Sequence, residues 1–198
     1  MDAVYLHDVI SNGNMLTSSG GVGDTDTVIK EVRLVAVDDK SAIRYELEQF
    51  ADIHAYDVVE NALVITPEGT MYTLRGNEIA VNPGILTPDE LTGSIVVHNH
   101  PVNEFHGMGD SFSREDLMFA AMYNLGRQYI VSGNFRSSYS FTTPQTVENV
   151  YNAWNNAEHR MMEQAKASGK ILVQWQAEIM ALISAFLEGI VCYDWFQD

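Results

Sequence analysis

Two histidines flank a single asparagine at His98-Asn99-His100, and Pro101 follows at once. The preceding Ile95-Val96-Val97 is β-branched, so the segment reads as a strand that stops at the proline. Residues two apart on a strand share a side, so His98 and His100 present their imidazoles together. Two imidazoles held rigidly at a sheet end make good metal ligands; the alternative is a pair of polar residues at a strand terminus.

Sixteen residues beyond His100 stands Asp116, within Ser113-Arg114-Glu115-Asp116. Taken alone this is a helix start, with Ser113 as the cap and Asp116 in the dipole-favoured first turn. Set beside the histidine strand, however, it can deliver a carboxylate and a hydroxyl to one point. Two histidines and one carboxylate, with the fourth position left to water, form a common open catalytic zinc site. Such a metal polarises a carbonyl and lowers the pKa of its water toward 7. The chemistry then needs a base, and Glu60 is the candidate. It precedes the strand-like Ala62–Thr66, which puts it at the edge of the same sheet. There it can take a proton from water and later hand it to a leaving amine; the alternative is a solvated charge at a strand start. Glu46 and Glu48 on a surface helix and Glu68 in a turn are weaker candidates. His106 either approaches the metal or lies on a loop surface, and His7, His54 and His159 have no motif around them.

The pattern His98-Asn99-His100-Pro101 followed by Ser113-x-x-Asp116 resembles the His-x-His-Pro…Ser-x-x-Asp signature of the JAMM (MPN-plus, or JAB) metallopeptidases. Its wording is closest to the bacterial RadC-type branch, and similar domains occur in phage-associated and toxin-like proteins. The resemblance covers about Lys30–Thr142. It implies a mixed β-sheet flanked by helices, of the cytidine-deaminase-like kind. It also implies a zinc ion held by His98, His100 and Asp116, Glu60 as acid and base, and Ser113 steadying a tetrahedral oxyanion. Family members cleave peptide or isopeptide bonds, often beside ubiquitin-like modifiers, so a protein or peptide substrate is expected. The sequence departs from the pattern in the length of the segment from Val102 to Phe112, which contains two glycines and borders the site. A second reading keeps the same fold as a non-catalytic binding or structural module, but branches of that kind lose the metal ligands, and all three are present here.

The elements that must position these residues follow from patterning. Residues 11–27 are almost all Gly, Ser, Thr, Asn and Asp, so residues 1–28 read as a flexible arm. Val32, Leu34 and Ala36 alternate along a strand, and Ser41 is placed to cap a helix through about Ile53 whose face is Ile43, Leu47 and Phe50. Ala62–Thr66 and Met71–Leu74 flank a Pro67–Gly69 turn as a hairpin. Thr87-Pro88-Asp89-Glu90 is a capping box, and Ser113 opens a helix running to Leu125. Tyr129–Val131 and Tyr139–Phe141 are further short strands. Alternating strands and helices make residues 29–143 an α/β domain. From Pro144 the spacing is helical throughout. Val150, Trp154, Ala157 and Met161 form one stripe, Gly169 interrupts it, and Leu172, Trp175, Ile179, Leu182 and Phe186 form another. Residues 144–198 therefore read as an appended helical hairpin, with Cys192 buried in its second helix.

Composition narrows the function. Against 11 Lys and Arg stand 27 Asp and Glu, a net charge of −16. That opposes affinity for a phosphate backbone or an anionic membrane surface, and favours neutral or basic partners. A nucleic-acid role borrowed from the RadC-type resemblance is therefore disfavoured, and an HNH nuclease does not place its histidines in one tripeptide on one strand. Apolar residues are 46% of the 198, enough for a real core. A single cysteine excludes an internal disulfide and a multi-cysteine zinc site. Lacking a membrane-length apolar run and a basic, then apolar, start, the chain is expected in the cytoplasm. Its oligomeric state is left open.

Overall fold

The computed structural model describes residues 16–17, 26–101, 112–169 and 189–196. These form a seven-stranded mixed sheet with helices on both faces. Its strands are β2 (Val28–Leu34), β3 (Asn61–Ile65), β4 (Thr70–Arg75), β6 (Ile95–Asn99), β7 (Arg127–Ser132), β8 (Phe135–Phe141) and β9 (Val191–Phe196), in the order β2-β4-β3-β6-β7-β8-β9. The β6–β7 pair is parallel, and the other neighbours are antiparallel. A separate two-stranded ribbon joins β1 (Leu16–Thr17) to β5 (Ala80–Val81).

The parallel pair requires a crossover, and α3 (Arg114–Tyr123) lies on it between β6 and β7. Alternation along β3 sends Ala62 and Val64 to one face and Leu63 and Ile65 to the other, yet all five residues of the strand are buried. Both faces are covered, which explains the unbroken apolar run. On one face Ala62, Val64, Leu74 and Val96 pack with Leu117 and Ala120 of α3 and with Val150, Trp154 and Ala157 of α4 (Val147–Ala167). On the other, Leu63, Ile65, Met71, Val97 and Val131 pack with Phe50 and Ala51 of α1 (Lys40–His54), flanked by Ile43 and Leu47.

The hairpin forms where the pattern puts it, β3 to β4 across Pro67–Gly69. Gly69 has φ of 88°, and a Cβ there would stand 2.4 Å from the Val35 carbonyl oxygen, so only glycine fits. The capping box at Thr87 is present, but it opens only a short helix, α2 (Pro88–Leu91). Several expectations are corrected. The cap of α1 is Asp39, whose carboxylate accepts from the Ser41 and Ala42 N–H groups, not Ser41. The strand expected through Ala36 forms as β2 but ends at Leu34, and as an edge strand it is exposed throughout. Glu46 is not a surface charge: α1 packs it inward, paired with Arg33.

The C-terminal segment differs most. α4 shares the main core instead of standing apart, and Gly169 follows its end with φ of 69°. Val191–Phe196 is not helical but returns as the edge strand β9 beside β8, and Cys192 on it is exposed. Local periodicity could not reveal this pairing, since its partner lies some fifty residues earlier in sequence, for example Ser140 against Cys192. The second helix expected over Leu172–Phe186 lies outside the described residues, as does residues 1–25 of the expected arm apart from β1. Among the described residues no helix is long and apolar enough to cross a membrane.

Candidate metal centre

β6 carries the first two candidate ligands. It pairs with β3 on one side, Ala62 opposite His98, and with β7 on the other, Ile130 opposite His98. The ladder continues to the His100 N–H, which donates to the Val131 carbonyl at 2.9 Å. His98 and His100 thus lie on one face, as expected of residues two apart, and both are buried. The third candidate ligand comes from α3. Ser113 is its N-cap in a reciprocal box: the Asp116 N–H donates to Ser113 Oγ at 3.1 Å, and Asp116 Oδ2 accepts from the Ser113 N–H at 2.7 Å.

These elements converge. His98 Nε2 and His100 Nε2 are 3.0 Å apart, and Asp116 Oδ1 is 3.3 Å from His98 Nε2. Metal bonds of about 2.0–2.2 Å in a tetrahedron give ligand-to-ligand edges of about 3.3 Å. The other carboxylate oxygen, Oδ2, stands 3.9 Å from His100 Nε2 and is already committed, accepting also from the Ser113 hydroxyl at 2.9 Å. Oδ1 is the oxygen left for a ligand bond. It and His98 Nδ1 are buried without a hydrogen-bond partner among the described residues. A carboxylate oxygen orphaned in this way is costly unless a cation meets it.

The electrostatics agree. Burial pushes the His98 pKa down to about 3, so its imidazole is neutral and keeps a lone pair for a metal. Burial also pushes the Asp116 carboxyl up to about 6, against the pull of His100 and the Ser113 hydrogen bonds. Its anion is held in a water-poor place that favours a cation. A buried group of His98, His100 and Asp116 can hold a metal ion.

Glu60 is buried one residue before β3 and does not belong to that ligand group. The Val81 N–H donates to its Oε2 at 3.1 Å. Its own N–H donates to the Asn77 carbonyl and its carbonyl accepts from the Gly76 N–H. Ala62 faces His98 where the β3–β6 register ends, and Glu60, two residues before Ala62, is buried at 1% exposure. The alternative, a solvated charge at a strand start, is therefore excluded. Of the weaker acids, Glu48 is an exposed partner of Arg44 and Glu68 is exposed in the hairpin turn, so neither faces the ligands. His54 pairs with Asp57 at the end of α1, and His159 lies on α4, outside the ligand group. His106 and His7 lie outside the described residues.

Four contributors, Asn99, Tyr139, Gln128 and Phe112, carry no role in the sequence patterns above. Asn99 points away from the histidines and ties down the neighbouring strand; the same period-two alternation that paired the histidines was a signal for this. Tyr139 is fully buried, with its hydroxyl 3.0 Å from the Asp116 main-chain oxygen and 2.6 Å from Gln128 Oε1. Burial and the Asp116 charge both raise the Tyr139 pKa, so the phenol keeps its proton. Phe112 packs edge-on to Tyr139 at 4.6 Å between ring centres and lies 6.4 Å from His98. Neither Tyr139 nor Gln128 carries a motif, and nothing local marks them.

Comparison with protein-family models, with curated proteins and with solved structures finds no match for this chain.

Proposed function

We propose that this chain is a zinc-dependent hydrolase of peptide or isopeptide bonds, of the JAMM metallopeptidase kind. The observation that carries the reading is the convergence of His98 Nε2, His100 Nε2 and Asp116 Oδ1 in one buried cluster, with one carboxylate oxygen left unmet. Two nitrogens and one oxygen suit zinc and leave the fourth position for water. Bound zinc would supply the Lewis acidity that polarises a carbonyl and brings a water toward neutral pKa.

The protein's own groups do the rest. Glu60, buried just before the strand that pairs with β6, accepts the water proton and returns it to the departing amine. Asp116 Oδ2 is fixed by two donors from Ser113, which aims Oδ1 at the histidines. The Ser113 hydroxyl hydrogen is spent on Asp116 here, so it must turn to serve a developing oxyanion. With a net charge of −16, a neutral or basic protein is the favoured substrate, a ubiquitin-like conjugate being one form, and nucleic acid is disfavoured.

The test is metal content and cleavage together. Purified protein should hold about one zinc per chain. Joint His98→Ala and His100→Ala substitution should remove it and leave the sheet folded. Hydrolysis of fluorogenic peptide- and isopeptide-linked substrates should stop with a chelator and return with zinc. Equal zinc in the double variant sinks the site; loaded protein without hydrolysis on any such substrate sinks the enzyme.

A further inference from the structure

We propose that Tyr139, backed by Gln128, is a positioning residue for the metal ligand Asp116, holding its main chain from strand β8. Resting on the metal reading above, this adds residues that the motif does not contain. Gln128 and Tyr139 are direct cross-strand partners on β7 and β8, so their side chains share a face, and both are buried. The phenol hydrogen has two acceptors in reach: the Asp116 carbonyl at 3.0 Å and Gln128 Oε1 at 2.6 Å. One hydrogen cannot serve both. Meanwhile Gln128 Nε2 is buried with no partner among the described residues.

Turning the Gln128 amide about its last bond removes the first conflict and gives the amide nitrogen an acceptor, with Oε1 taking the place Nε2 held. The amide nitrogen then donates to the phenol oxygen, and the phenol hydrogen goes to the Asp116 carbonyl. The result is a directed chain from Gln128 through Tyr139 to the backbone of a ligand. Asp116 is then gripped at two points, its carboxylate by Ser113 and its carbonyl by Tyr139. The Phe112 ring, between Tyr139 and His98, fixes the phenol sideways. Groups that orient metal ligands commonly change metal affinity by about 10- to 100-fold when removed.

The experiment measures zinc affinity by competition with a chromophoric chelator, and the visible spectrum of the cobalt-substituted protein, both well below the thermal midpoint. Tyr139→Phe keeps the ring and removes the hydroxyl. It is expected to weaken zinc by about tenfold or more and to shift the cobalt bands. Phe141→Leu loosens the neighbouring ring contact, 5.6 Å between centres, without touching the hydroxyl. It should lower the thermal midpoint and leave zinc affinity within about twofold. Should Tyr139→Phe not fold, Gln128→Met carries the test, with a weakening of at least about threefold expected. Unchanged affinity and spectrum in the tyrosine or glutamine variant overturns the proposal. So does an equal loss in Phe141→Leu, since a looser core would then suffice. If the wild type takes up no metal, the metal reading itself fails, and this inference falls with it.

Discussion

The side-chain oxygen of Asn99 accepts a hydrogen bond from the main-chain N–H of Asn61 at 2.7 Å, and its amide nitrogen donates to the Val59 carbonyl at 2.9 Å. The residue between the two histidines thus clamps the chain on either side of Glu60. Alternation does this without extra parts: the imidazoles leave β6 on one face and the amide on the other. Asn99→Ala leaves a buried N–H without its acceptor and should destabilise the protein by about 1–3 kcal/mol. Zinc affinity should stay near wild type, because the ligands face the other way. Urea midpoints and chelator competition check both halves; an unchanged midpoint would mean the clamp is dispensable.

Glu60→Gln keeps an oxygen that can accept from the Val81 N–H, so the fold and zinc content should persist. The amide cannot take a proton, and hydrolysis should fall by roughly 10²-fold or more. Turnover equal to wild type would move the base to another carboxylate.

The proposed function gives Ser113 a chemical duty beside its structural one, and two substitutions separate them. Ser113→Ala removes the cap oxygen and should lower stability by about 1 kcal/mol. Ser113→Asp keeps an acceptor for the Asp116 N–H but trades a donor to Asp116 Oδ2 for a negative charge. The Asp variant should fold, yet its hydrolysis should drop by about 10²-fold. Thermal midpoint, zinc content and turnover are measured on both; a fully active Asp variant with normal zinc leaves Ser113 only its structural part.

One hydrogen bond outside the site shapes the pH profile. The Tyr72 hydroxyl donates to Glu90, which also accepts from Thr87 in the capping box. The Tyr72 bond is the chief cause holding the Glu90 carboxyl below its ordinary 4.5, with Thr87 adding to it. A folded-state pKa below the unfolded one means the unfolded chain binds the proton first as pH falls. This contribution is therefore complete above about 4.5 and is lost as pH drops through the folded value. Glu90 raises the Tyr72 pKa above 10, so the same bond stabilises below pH 10 and fades above it. Tyr72→Phe should flatten both wings of a midpoint-versus-pH curve relative to wild type. A variant curve parallel to wild type at both ends would disprove the coupling.

The grouping of His98, His100 and Asp116 was legible in the sequence because each part of it is local. A β-branched run ending at Pro101 defines the strand, alternation pairs His98 with His100, and the reciprocal cap from Ser113 to Asp116 spans one helical turn. The hairpin was readable for the same reason, its turn being written in Pro67 to Gly69. What brings the Asp116 carboxylate to 3.3 Å from His98 is not local. It depends on β6 and β7 lying parallel, which obliges the chain to cross over and lays the N-terminus of α3 at the sheet end. Burial of Glu46 and Glu60, the clamp at Asn99, the Tyr139 contact and the return of Val191–Phe196 to the sheet edge were likewise decided by packing between distant segments. Period and capping report only which face a residue takes on its own element. Which element that face then meets is fixed by strand order and register, and those emerge only when the whole sheet closes its two cores.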